Sequence, residues 1–180
     1  MCNKKTIFKF EVISTIIIMI SGVLLHFTYE WSGENRIVGL FSAVNESTWE
    51  HLKLAFFPML VMAIIGFLVI GKRTNNYWLA QTIGIIVAIT FIVTFFYTYR
   101  EVLGKNIDAL NIGSFFVAVI LGEIVTYKIL KFRKTYNAEI VSIIFLVILF
   151  FSFILYTFYP PQIPLFENPI SGDYGIQNLT

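Results

Sequence analysis

The sequence holds a single cysteine, Cys2, and charged side chains make up only 13% of its 180 residues. One cysteine excludes a disulfide scaffold and any thiolate zinc cluster. A formal net charge of +2 is too small for phosphate-driven binding, so nucleic acid is not a partner. Proline is scarce along most of the chain: four of the five fall between Pro160 and Pro169. What fills the space is apolar. Hydrophobic residues make up 57%, aromatics 17%, and the mean hydropathy is +0.78. Soluble domains average roughly 45–50% apolar and about 25% charged. A water-soluble fold of this length still exposes roughly a third of its unfolded surface, so this composition excludes a soluble enzyme and a disordered tail alike.

The apolar residues form five runs, at about 10–29, 52–70, 77–99, 112–130 and 140–159. Each is close to the roughly 20 residues that cross ~30 Å of hydrocarbon as a helix. Only helices satisfy their own backbone in lipid, so the expected fold is an all-α integral membrane bundle of five transmembrane helices. The first run follows Lys4, Lys5 and Lys9, but it is long and no A-x-A cleavage site follows it, so it reads as an uncleaved span. With the N-terminus inside, nine basic residues lie on inner segments: Lys4, Lys5, Lys9, Lys72, Arg73, Lys128, Lys131, Arg133 and Lys134. Arg36, Lys53, Arg100 and Lys105 remain outside. The positive-inside rule therefore favours N-terminus in and C-terminus out. No repeat divides the chain into equal halves as in an inverted-repeat transporter.

The inner connections 71–76 and 131–137 read as simple turns. In the first outer loop, Ile37, Leu40, Phe41 and Val44 follow i, i+3, i+4, i+7 spacing. This fits a short interfacial amphipathic helix, or equally a loop with a few buried anchors. Residues 1–159 thus form the transmembrane domain, and 160–180 form a proline-rich outer tail. Prolines end the fifth span there, and Ile163, Leu165 and Phe166 are apolar enough to fold back onto the domain.

Polar residues cluster where the first outer loop meets the first two spans. Ser47-x-x-Glu50 has the form of a capping box, in which Ser47 caps the helix and Glu50 reaches back to the cap N–H. His51 and Glu46 are not needed for a cap. His26 and Glu30 are four apart on one helical face, with Tyr29 beside them. The chain's two histidines thus share one membrane depth, each near carboxylates. His26, Glu30, Glu46, Glu50 and His51 are the candidate catalytic set. His26, His51 and Glu46 match a divalent metal's ligand preferences, though no H-E-x-x-H motif is present. Without metal, the same groups suit general acid–base work. Tyr29, Trp49 and Arg100 are candidate ligand-binding residues. Tyr97, Tyr99, Tyr156 and Tyr159 fit an aromatic belt. Glu123 lies within the fourth span, where an ionisable group is costly, and is the candidate proton or ion relay; the alternative is a carboxyl hydrogen-bonded to Thr82, Thr90 or Ser142. Pro58 removes a backbone bond inside the second span and predicts a kink. The sequons at Asn45 and Asn178 read as chance matches.

The segment Val44-Asn45-Glu46-Ser47-Thr48-Trp49-Glu50-His51-Leu52-Lys53, with Pro58 after it and His26-x-x-Tyr29-Glu30 before it, resembles a family of small bacterial multi-pass membrane proteins defined only as a domain of unknown function. The ending Tyr159-Pro160-Pro161 through Pro164-Leu165-Phe166 to Tyr174-Gly175-Ile176 resembles that family too. The resemblance implies a bacterial cytoplasmic membrane and brings no activity, substrate or cofactor. Three functions stay open: an outer-face binding or catalytic pocket, a small transporter of protons, cations or solutes using Glu123, and a non-catalytic subunit that docks a membrane partner or a second copy of itself. The lipid bilayer is the partner common to all three.

Overall fold

Each apolar run of the sequence becomes one helix, and most of the helices outrun the apolar stretch that predicts them. The computed structural model describes residues 3–132 and 138–176. Its helices are α1 (Lys4–Trp31), α2 (Arg36–Gly39), α3 (Thr48–Val69), α4 (Tyr77–Leu103), α5 (Asp108–Leu130) and α6 (Glu139–Phe158). All but α2 are long and apolar enough to cross a membrane. Among the described residues there is no strand, only an isolated bridge between Glu167 and Tyr174. The connection at 131–137, Cys2 and the sequon at Asn178 lie wholly or partly outside the described residues.

Local signals set the ends. Asn3 caps α1 by accepting from the Lys5 N–H, which carries the helix six residues further out than the apolar run. Ser47 caps α3 through the Glu50 N–H. Gly104 closes α4 in the left-handed region at φ 66°. The bundle therefore has two ends. One carries Lys4, the 3₁₀ turn Gly71–Arg73 and the start of α4; we call it the lysine end. The other carries α2, the start of α3 and the tail; we call it the histidine end.

α3 is the most enclosed helix, with Ala55 and Phe56 fully buried. α4 and α5 pack backbone to backbone. Ala80, Gly84 and Ala88 on α4 face Ala118, Gly122 and Thr126 on α5, both series at four-residue spacing, and all six are buried. A Cβ on Gly122 would lie 2.7 Å from the Gly84 carbonyl oxygen. Small residues at this spacing let transmembrane helices approach closely where no hydrophobic effect drives them together. α1 and α3 meet in the same way: a Cβ on Gly22 would come within 2.5 Å of the Leu54 carbonyl oxygen. Leu54 is four residues before Pro58, so its carbonyl is the one that Pro58 deprives of an N–H. Gly22 gives that freed carbonyl a close, buried neighbour.

The first loop is less helical than its spacing suggests. Only the single turn of α2 forms, and Ile37 remains 70% exposed while Phe41 packs on Phe57. Helix stops at Gly39, whose carbonyl, like that of Ser42, accepts from Lys53 Nζ rather than from a following N–H. Ser42 Oγ donates to the Leu25 carbonyl and accepts from the Tyr29 N–H. The tail returns to the helix ends. Phe166 lies on Trp49, the Trp49 N–H donates to the Leu165 carbonyl, and Asn45 Nδ2 donates to the Gly175 carbonyl.

Candidate functional site

Two polar clusters lie at the histidine end, and they divide the predicted residues between them. The first is buried and structural. Lys53 is 0% exposed. Its Nζ lies 2.6 Å from Glu50 Oε2 and also donates to Thr157 Oγ1 and, at 3.0 Å, to the Gly39 carbonyl. Glu50 Oε2 also accepts from the Val44 N–H. The capping box is therefore half formed. Ser47 caps, but Glu50 turns to Val44 and Lys53, and the Ser47 N–H goes to Asn45 Oδ1 instead. One ammonium ties α3, the first loop and the end of α6 together. Glu50 is the counter-ion of that lock. Sequence reasoning overlooked Lys53, although the i, i+3 spacing from Glu50 signals the pair.

The second cluster is His26, Glu46 and His51. Here α1 and α3 bring the two rings to 5.2 Å between centroids. Glu46, in the loop just before the Ser47 cap, projects between them: Oε2 is 3.4 Å from His51 Nε2 and Oε1 is 3.9 Å from His26 Nε2. Each residue offers one ligand atom, and these atoms lie within 4.8 Å of one another. Both imidazoles and the carboxylate are part-exposed, so the cluster is open to solvent.

The tautomer of His51 follows from its neighbours. Nδ1 lies 2.9 Å from the Ser47 carbonyl oxygen, which can only accept, so Nδ1 carries the hydrogen. In the neutral ring the Nε2 lone pair then faces the Glu46 carboxylate. Two electron-rich atoms at 3.4 Å call for a cation between them, either a proton on His51 or a metal ion. A backbone carbonyl holding the far nitrogen is also how metal-ligating histidines are oriented. His26 Nδ1 is buried without a hydrogen-bond partner. The hydrogen bond to His51 holds the Glu46 carboxyl below its ordinary range, with both imidazoles adding to the effect.

The other predicted residues lie outside this trio. Glu30 is exposed at the end of α1, close enough to act on His26 through its charge. Tyr29 is buried against Gly39 beneath the loop. Trp49 packs among Phe153, Tyr156 and Phe166, with tilted and edge-on ring contacts, and anchors the tail to α3 and α6. The Arg100 guanidinium lies over Phe96 of its own helix at 5.8 Å. A cleft of about 570 Å³ at this end is apolar and lies between α1 and α2, lined by Leu25, Trp31, Ile37 and Phe41 among others; it does not include the trio. Glu123 is buried elsewhere, toward the lysine end of α5, and its carboxyl faces Glu11 of α1 rather than Thr82, whose hydroxyl donates to the Ser142 carbonyl. Sequence reasoning overlooked Glu11 as well.

Five long apolar helices define a multi-pass helical membrane protein. Within that class the chain belongs to the family of unknown function DUF6512, whose model matches residues 1–176. No match was found among curated proteins or among solved structures.

Proposed function

We propose that the protein is a bacterial cytoplasmic-membrane protein that binds a divalent transition metal, of the zinc class, at its outer face through His26, Glu46 and His51. The observation that supports this most is the His51 ring: its far nitrogen is fixed on the Ser47 carbonyl, which aims a lone pair at Glu46. Two imidazoles and a carboxylate are a known three-ligand set for catalytic zinc, which leaves a fourth position open to water. Metal–ligand bonds of 2.0–2.1 Å in a tetrahedron put donors about 3.3 Å apart. The 3.4 Å Glu46–His51 separation suits this as it stands, and the three ligand atoms, spread over as much as 4.8 Å, close to it by rotation of the part-exposed His26 and Glu46 side chains. A metal held there would act as a Lewis acid on bound water or on a ligand arriving from the aqueous side. The distribution of basic residues supports placing the histidine end outside.

The test is thermal unfolding of metal-free protein in detergent, with and without Zn²⁺. Zinc at a hundredfold excess over its Kd stabilises the wild type by about 2.7 kcal/mol. Glu46→Gln, which keeps the shape and removes the charge, loses most of that gain. An equal zinc shift in wild type and Glu46→Gln would refute the proposal and favour a protonated His–Glu–His clamp.

A further inference from the structure

The lysine end carries a basic cleft that the metal site does not use. α1 starts at Lys4, ahead of the apolar run that begins near Phe10. In its first turns, Lys4 and Phe8 are four apart, as are Lys5 and Lys9, so all four share one helical face. With Tyr127 of α5 they line a cleft of about 310 Å³. Phe8 and Tyr127 join its two sides, their rings edge to face at 5.6 Å between centroids. One turn beyond Tyr127, the Lys131 ammonium lies 4.4 Å from the centroid of the Tyr127 ring. Three lysines thus line the cleft, and a fourth sits on its aromatic wall.

No acid balances this charge. Among the described residues, no carboxylate lines the cleft and none pairs with any of the four lysines. Glu11, the next acid along α1, is buried. A basic flank orients a span whichever way its side chains point. Orientation does not require those lysines to gather on one face beside a neighbouring helix and its aromatic ring. Lys72 and Arg73 make the contrast: they belong to the same end, in the 3₁₀ turn, and take no part in the cleft.

The cleft lies at headgroup depth. Lys4 to Lys9 spans about 7.5 Å along the axis at 1.5 Å per residue. One headgroup layer is about 5–7 Å thick on each side of the hydrocarbon. Exposed apolar side chains continue from the cleft into the span on both helices. Val12 and Ile16 lie one and two turns beyond Phe8, and Ile124 and Ile120 lie one and two turns before Tyr127. A soluble anion would engage the ammonium groups alone, whereas a phospholipid engages the apolar rows as well.

We propose that this cleft binds the headgroup of an anionic phospholipid. The phosphate oxygens accept from the lysine ammonium groups, and the acyl chains follow the exposed rows of α1 and α5. Basic pockets between transmembrane helices suit anionic headgroups. The bound lipid ties α1 to α5 in the leaflet at the lysine end. This site rests on the five membrane-spanning helices alone and is independent of the metal site, which lies at the other end of α1.

Native mass spectrometry of the full chain in detergent, titrated with phosphatidylglycerol, tests it. One lipid per chain is expected to bind ahead of any others, at concentrations where phosphatidylcholine does not bind and glycerol phosphate does not compete. Lys5→Gln/Lys9→Gln should weaken that binding roughly thirtyfold. Both lysines are exposed, so the fold survives their replacement. Lys72→Gln/Arg73→Gln removes the same charge from the same end and should leave the affinity unchanged. An equal loss in the two double variants would overturn the proposal and reduce the effect to the overall charge of that end. Phosphatidylcholine binding as tightly as phosphatidylglycerol would overturn it too, as would the absence of a preferred first lipid. Glycerol phosphate competing as well as the lipid would overturn the lipid as occupant.

Discussion

At the residue scale, Lys53 is the strongest single dependency at the histidine end. Its ammonium is enclosed, and its three shortest bonds reach an acid, a hydroxyl and a loop carbonyl on different elements. Removing one partner of such a pair leaves a buried charge uncompensated, at a cost of about 3–5 kcal/mol. Lys53→Met should lower stability in detergent by that order, and Glu50→Gln should do likewise. Lys53→Met/Glu50→Leu should recover a large part of the loss, because replacing both charges by apolar groups is often near neutral. Unfolding of the three variants, followed by circular dichroism, checks this; a double variant as unstable as the sum of the singles contradicts it. Glu46 supplies a pH test on metal-free protein. Its carboxyl ionises below the ordinary glutamate range because His51 hydrogen-bonds it. The folded state therefore gains stability from Glu46 above the unfolded value of about 4.3, and that gain is lost as pH falls through the depressed folded value. Wild type should accordingly lose melting temperature in acid more steeply than Glu46→Gln.

At the element scale, helix approach rests on glycines rather than on large side chains. A methyl on Gly122 meets the Gly84 carbonyl at 2.7 Å, and backbone cannot step aside as a side chain can. Gly122→Ala should cost about 1–3 kcal/mol through overpacking and push α4 from α5. Gly113→Ala, on the same helix in open space, should be neutral or slightly stabilising. Equal melting temperatures for the two variants would contradict the close-packed seam. Five spans were legible in the sequence because a single segment that crosses lipid and satisfies its own backbone is a long apolar helix. The small-residue seam was harder to see, since Ala80, Gly84 and Ala88 are as unremarkable in an apolar run as any other residues. α2 came out shorter than its spacing suggests because periodicity reports apolar faces, not the pull of Ser42 and Lys53 on the loop backbone.

At the scale of the whole molecule, the chain separates two kinds of polar chemistry by the length of a helix. His26, Glu46 and His51 gather at one end, and Glu11 and Glu123 at the other. The first group was visible in sequence because the only two histidines fall at one depth beside carboxylates. Which carboxylate joins them was not: Glu50 is drawn away by Lys53, and Glu30 stays exposed, so Glu46 alone bridges the rings. Glu11 escaped notice because it borders the basic start of the chain, where a charge reads as the polar flank of a span; α1 begins at Lys4 and places it two turns inside. The bundle, with α3 at its centre and the tail returned onto Trp49, brings His26, Glu46 and His51 together at the histidine end and leaves them part-exposed.

The most direct measurement is the metal content of the detergent-purified protein carrying a tag without histidine, beside a His26→Ala/His51→Ala variant. The account predicts near-stoichiometric zinc-class metal in the wild type and its disappearance from the folded variant. Wild-type protein free of metal that also fails to take it up from buffered zinc would contradict the account, and so would a metal content unchanged by loss of both histidines.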